Sequence, residues 1–220
     1  MQLWKRGGEA FNFAFTNPII FLVYLPITLL GLLSVYVDFN STLNSILAVL
    51  YILVMLALTS FVFTFLILKA AYRYNKKEAS FRQIVDFSAS KFLSLLLAEF
   101  ILIVGIILIS SIINFVAILW TSNLGIAVSI VLAVFFISLL LKFLLFAPSC
   151  VLKGDMGFGE SWNIVGWKEF FELAIFIALY AFLSFGLSYL PYAGYLIDSL
   201  ILGPVLMVIV TFLYLDYLKK

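Results

Sequence analysis

The chain has 220 residues, of which 65% are hydrophobic and only 11% are charged. A soluble domain of this length could not bury so much apolar surface, whereas a lipid bilayer solvates it, so we expect an all-α protein that crosses a membrane several times. The net charge of +2 argues against nucleic acid as a partner. Because the chain has one cysteine, Cys150, and no histidine, we expect no metal, no cofactor and no disulfide.

The first part of the chain predicts a short amphipathic helix over residues 5–16 and then two spans. The spans lie at 18–37 and 43–68, and each is apolar for the ~20 residues that a helix needs to cross the hydrocarbon. Pro26 lies inside the first span. Its ring removes one backbone hydrogen bond, so it should kink that helix.

The second part repeats this order, with a predicted amphipathic helix over residues 80–91. Ser80 and Gln83 have the spacing of a capping box, which predicts that a helix starts there. Arg82 lies on the polar face, where we expect it to pair with Asp86 four residues later. We consider Arg82 a candidate contact for lipid headgroups or a protein partner. The predicted spans of this part are 92–119 and 124–141.

The third part has a glycine-rich run over residues 154–159 and an amphipathic segment over 159–169. The glycine spacing does not fit a dinucleotide-binding loop and no strand precedes it, so we predict a flexible turn. Trp162 in the amphipathic segment is the second candidate contact for lipid headgroups or a partner. The predicted spans of this part are 173–190 and 195–215.

Basic residues predict the orientation of these six spans. All 13 Lys and Arg residues precede the first span, follow the sixth, or lie in the connectors after the second and fourth spans. Short loops rich in Lys and Arg stay in the cytoplasm. We therefore expect a multi-pass protein of the cell membrane with both termini cytoplasmic.

The three parts read as one unit used three times within a single membrane domain, residues 1–220. The proposed repeats cover about 5–74, 79–152 and 157–220. Their second helices end alike, and Leu66, Leu139 and Leu213 coincide at offsets of 73 and 74 residues. Each unit crosses the membrane twice, so all three units point the same way, as in parallel repeats related by an axis along the membrane normal. We expect a six-helix bundle with approximate three-fold symmetry.

One stretch resembles a known family. The apolar run around Pro148 is followed by a segment that contains Ser161-Trp162 and ends at Gly166. This pattern resembles uncharacterised multi-span proteins related to the membrane domain of glycerophosphodiester phosphodiesterases, over about twenty residues. The resemblance implies a helical membrane module without a catalytic domain of its own.

Glu99 is the ionisable residue that we expect deepest in the membrane. It follows Phe92 by seven residues, or about 10 Å along a helix. A charge near the bilayer centre costs about 3 kcal/mol or more, so Glu99 must be protonated, paired or facing a wet cavity. Lys69 or Lys142 could reach it from neighbouring helices. We hypothesise either a structural role in helix packing or a role in ligand or ion binding.

Lys69, Lys142 and Asp216 occupy equivalent positions in the three units. Under three-fold symmetry they would form a ring that binds a ligand or ion. The alternative is ordinary extension of long side chains to the membrane surface at helix ends.

These features favour a membrane protein without enzymatic activity. No catalytic residue is predicted, because no nucleophile and base can be paired without histidine. The first hypothesis is a module that binds membrane lipid or an amphiphile, or that organises protein partners at the cytoplasmic face. The alternative is a small permease or channel subunit with a polar path near Glu99. An apolar cavity open to lipid would favour the first, and a polar tunnel the second.

Overall fold

The computed structural model describes residues 2–34, 42–119, 123–190 and 192–219, and these residues are almost entirely helical. The predicted all-α fold class is confirmed. In chain order the helices are α1 (Gln2–Thr16), α2 (Ile19–Leu22), α3 (Leu25–Ser34), α4 (Thr42–Tyr74), α5 (Phe81–Leu119), α6 (Asn123–Phe143), α7 (Phe146–Lys153), α8 (Phe158–Ile164), α9 (Trp167–Ser188), α10 (Ala193–Ile197), a π-helical turn (Asp198–Leu202) and α11 (Gly203–Tyr217).

Five segments of the described chain are long and apolar enough to cross a membrane, and a bent helix pair raises the number to six. The five are Ile46–Tyr74, Phe81–Phe115, Ile130–Lys153, Trp167–Ser188 and Ala193–Tyr217. Each overlaps one of the predicted second to sixth spans. The bent pair joins Trp4–Thr16 to Ile19–Leu32 at an angle of 82°. The predicted first span, 18–37, includes the second arm of this pair, and its residues 35–37 lie outside the described chain.

The predicted kink near Pro26 is confirmed as a break in the helix. Helix α2 ends at Leu22, a turn follows at Val23 and Tyr24, and α3 begins at Leu25. Pro26 has no backbone N–H to donate to the carbonyl of Leu22, so the helix loses the bond that would hold this turn. Two residues further on, the helical bond from Thr28 N to Tyr24 O is present at 3.1 Å.

The middle amphipathic segment starts as predicted but does not form a separate helix. Ser80 N donates to Gln83 Oε1 at 3.0 Å, and Gln83 N donates to Ser80 Oγ at 3.2 Å, which confirms the capping box. From there α5 continues without a break through Leu119. Residues 81–104 contain neither glycine nor proline, so nothing in the sequence ends the helix before the span begins.

The third amphipathic segment is a separate helix, α8, held beneath α7 by a glycine turn. Gly154 and Gly157 have φ angles of +87° and +73°, a conformation that side chains other than glycine rarely adopt. A Cβ atom on Gly157 would lie 2.3 Å from the Phe146 carbonyl oxygen. The helix then ends at Ile164, and α9 starts after Gly166. The predicted flexible turn is therefore a closely packed one.

Buried residues concentrate at the end of the bundle where α4 and α11 end and α5 and α9 begin, which we call the basic end. Helix α11 packs there against α1, α4 and α7. Leu66, Leu145, Leu213 and Tyr214 are fully buried at this meeting point. The segment that contains α11 is 44% buried, against 6–22% for the other four single-segment candidate spans, so it is the central helix of the bundle.

Candidate functional site

Glu99 lies on α5 and faces α4, and it is buried, with 8% of its surface exposed. Its Oε2 atom is hydrogen-bonded to the hydroxyl of Ser60 on α4. Ser60 Oγ also lies 2.8 Å from the carbonyl oxygen of Leu56. A serine hydroxyl has one proton, so either Ser60 shares it between both acceptors or Glu99 is the carboxylic acid and donates to Ser60. The burial was predicted, but the partner is a hydroxyl and not Lys69 or Lys142.

Lys142 is bound to α8. Its ammonium group donates to the carbonyl oxygen of Val165 and lies 5.4 Å from the centroid of the Trp162 ring. In return, Ser161 Oγ donates to the carbonyl oxygen of Lys142 at 2.7 Å. These contacts satisfy the end of α8 and attach it to α6. The role of Lys142 in the structure is thus to join two helices.

Asp216 joins α1, α4 and α11. It accepts two hydrogen bonds from Arg6, one of them from Nη2 to Oδ1 at 2.6 Å, and a third from the Tyr74 hydroxyl. Arg6 also pairs with Glu9 on its own helix. No polar contact between described residues joins Asp216 to Lys69 or Lys142. The predicted ring is therefore not present as a connected cluster.

The two predicted interfacial residues are exposed, in different surroundings. Arg82 lies in the first turn of α5, and no ion pair to Asp86 is present among the described residues, contrary to the predicted pairing. Trp162 is 48% exposed on α8, and its ring centroid lies 5.8 Å from that of Phe143. Trp162 is thus positioned by packing on one side and open on the other.

Glu160 is a polar centre for which no role was predicted from the sequence. It accepts hydrogen bonds from Ser149 Oγ at 2.7 Å, from the Tyr214 hydroxyl at 2.8 Å and from the Lys153 ammonium group. Burial raises the pKa of this carboxyl group, but the three hydrogen bonds outweigh burial and hold its pKa below the ordinary value of 4.5. Glu160 therefore ties α8 to α7 and α11 as an anion.

An apolar cleft of about 520 Å³ lies beneath α1, between α9 and α11. Helix α9 is joined to the end of α11 by a hydrogen bond from the Tyr217 hydroxyl to Glu172 at 3.1 Å, and it packs against α10 at the opposite end and against α6 on its flank. The side chains in the wall of the cleft are apolar or aromatic. They include Trp4 and Phe11 of α1, Phe176 and Leu183 of α9, and Val205 and Ile209 of α11. No sequence pattern marked this cleft, because it depends on the angle between two helices.

The chemical groups present do not form a metal centre in the described chain, where no three Cys, Asp or Glu side chains lie close enough to hold an ion. Comparison with protein-family models, curated proteins and solved structures finds no match to this chain.

Proposed function

We propose that the protein is a six-span integral membrane protein of the cell membrane, with both termini cytoplasmic, that binds a membrane lipid without chemical change. The acyl chain occupies the apolar cleft beneath α1. The distribution of the 13 Lys and Arg residues supports the orientation. The resemblance to the membrane domain of glycerophosphodiester phosphodiesterases agrees with a helical module that has no catalytic domain of its own.

The three distinct faces of helix α1 support the proposal that it lies in the membrane surface. Trp4, Phe11 and Phe15 are more than half exposed and form an apolar stripe. Lys5 and Asn12 are exposed on a polar stripe, and a third face packs on α11. With an angle of 82° to the following helix, α1 lies flat if that helix crosses the bilayer.

The contacts of the amphipathic segments support three parallel repeats. The segment of each repeat packs on the second helix of the preceding one, in cyclic order: α1 on α11, the start of α5 on α4, and α8 on α6. Each segment also buries two residues four positions apart. These pairs are Ala10 and Ala14, Ile84 and Ser88, and Ser161 and Val165.

The cleft is the single observation that carries the proposed function. Its volume lies in the range of ligand-binding pockets, and its wall offers an apolar ligand a surface that water solvates poorly. The apolar stripe of α1 borders it, so a phospholipid tail can enter sideways from the bilayer. The alternative of a permease predicted a polar path near Glu99. Glu99 is instead buried against Ser60, and we do not extend the proposal to transport.

Filling the cleft should displace the lipid. Gly7 lines the cleft, and a Cβ there meets no atom within 4 Å, so we expect Gly7→Leu to place its side chain in the cleft. A phosphatidylcholine with a photoactivatable acyl chain should crosslink to peptides of α1, α9 and α11 in wild-type protein. We expect at least roughly a fivefold loss in Gly7→Leu, a factor equivalent to about 1 kcal/mol.

Gly186→Leu is the matched control. Gly186 is also a helical glycine with open space around it, but it lies outside the cleft. Its crosslinking should equal that of wild type. Unchanged crosslinking in Gly7→Leu, or crosslinks spread evenly over α4, α5 and α6, would contradict lipid binding in the cleft.

A further inference from the structure

A second pocket, of about 580 Å³, lies at the basic end on the other side of α1. We call it the basic pocket. Arg6 and Glu9 of α1 form one wall, and Arg73, Lys76, Lys77 and Glu78 form the other. Its lining is polar, in contrast to the apolar cleft, so the two pockets suit different chemical groups.

The backbone at the end of α4 brings three cations to this pocket. Lys76 has a φ angle of +54°, which is uncommon for a residue with a side chain. Lys76 N donates to Arg73 O at 3.0 Å, and Lys77 N donates to Tyr72 O at 2.9 Å, which closes the turn. Arg73, Lys76 and Lys77 thereby line one small volume. This is a common hydrogen-bond pattern at the end of a helix, and here it fixes the backbone that carries the three cations.

The pocket has an excess of positive charge. Arg6 is paired with both Asp216 and Glu9, so these three groups together carry one negative charge. No ion pair joins Arg73, Lys76 or Lys77 to another described residue. Glu78 offsets one of these three charges, and Lys219 adds another, with its ammonium group 4.3 Å from the centroid of the Tyr74 ring in the pocket wall. The positive charges therefore still exceed the negative ones. The wall therefore attracts an anion with several acceptor oxygens.

We propose that the basic pocket binds the phosphate group of an anionic phospholipid. This inference rests on the proposed function, in which α1 lies in the membrane surface. That position of α1 places the basic pocket at the level of the lipid headgroups. Arg and Lys donate charge-assisted hydrogen bonds to phosphate, and basic pockets on the cytoplasmic side of helix bundles hold anionic headgroups. Free phosphate esters share this chemistry, and the experiment separates the two sources.

The experiment compares two double variants with equal loss of charge. Arg73→Gln with Lys77→Gln removes two cations from the basic pocket. Lys5→Gln with Lys168→Gln removes two exposed cations that lie outside the basic pocket. Nanodiscs of phosphatidylcholine and phosphatidylglycerol are dissolved, and native mass spectrometry measures the ratio of the two lipids that stay bound.

Wild-type protein should retain phosphatidylglycerol preferentially, and the pocket variant should lose about fivefold in that preference for each removed cation. The control pair should keep it. Equal losses in both variants, or no preference in wild type, would overturn the inference. Glycerol 3-phosphate as a competitor identifies the source: displacement at millimolar concentration assigns the pocket to free phosphate esters, and no displacement assigns it to lipid.

The photocrosslinking assay separates this inference from the proposed function. If only the basic pocket fails, the variant and wild type both crosslink phosphatidylcholine in the cleft and neither prefers phosphatidylglycerol. If only the cleft fails, Gly7→Leu leaves both crosslinking and the preference for phosphatidylglycerol unchanged.

Discussion

Glu160 connects three helices through one carboxylate, with Ser149 and Lys153 on α7 and Tyr214 on α11 as its donors. Each donor favours the ionised form, and together they outweigh the burial that opposes it. Since the pKa is lower in the folded protein, Glu160 binds fewer protons folded than unfolded at mildly acidic pH. Its contribution to stability is present above the unfolded pKa and is lost as pH falls through the folded pKa.

We therefore predict a pH-dependent effect of Glu160→Gln. The melting temperature of the variant in lipid nanodiscs should lie below that of wild type at pH 7. The difference should shrink as the pH falls below the ordinary carboxyl value of 4.5. Asp86→Asn, at an exposed carboxylate, serves as the control and should match wild type throughout. A difference that is constant from pH 7 to pH 3 would show that Glu160 does not act as a bound anion.

The depth of single residues could be predicted from the sequence, whereas their partners could not. Glu99 was expected to be buried because it lies well inside an apolar segment. Its partner Ser60 is 39 residues away on α4, and only the rotation of two helices about their axes brings them together. Lys142 likewise donates to a backbone carbonyl oxygen, a partner that no pattern of side chains predicts.

Among the elements, the ends of helices can be predicted from local sequence signals. A helix continues where the sequence contains no glycine or proline to end it. The capping box at Ser80 marked the start of α5 correctly. The helix predicted over residues 80–91 is continuous with the span. An amphipathic pattern indicates that the surroundings of a helix change along its length, but it does not indicate that the helix bends. In α8 the same kind of segment is separated on both sides by glycines, at Gly157 and Gly166.

We predict that the glycine turn before α8 contributes to the stability of the protein. Gly157→Ala forces a side chain into a left-handed conformation and against the Phe146 carbonyl, so we expect it to lower the free energy of unfolding by more than about 1 kcal/mol. Gly159→Ala lies in α8 with open space around it and should be neutral or slightly stabilising. Titration with sodium dodecyl sulfate in mixed micelles measures both. Equal stability of the two variants would mean that the turn does not hold α8.

For the whole molecule, the apolar segments and the basic residues predicted helices and a topology, but not how closely the helices pack. Hydropathy gives the length of a span, because the bilayer solvates any apolar helix of sufficient length. The cleft depends on how the helices pack, and the basic pocket depends on the turn at the end of α4. Many sequences of equal hydropathy would have neither feature.

The predicted topology can be tested with single cysteines. In a Cys150→Ala background, Tyr189→Cys lies at the predicted outer end of α9, and Lys168→Cys lies at its start. Both native side chains are exposed. A membrane-impermeant maleimide should label the first in intact cells and the second only after lysis. The reverse pattern would invert the orientation of the protein.

The central position of α11 has a consequence for biogenesis. Within the described chain this helix follows the other candidate spans, so Arg6 of α1 can bind Asp216 only after those spans have been made. If these segments cross the bilayer as proposed, the earlier ones can insert on their own hydropathy before α11 is made. Helices α4, α5 and α7 can then form their shared buried cluster first, and the core around Leu213 and Tyr214 is completed last.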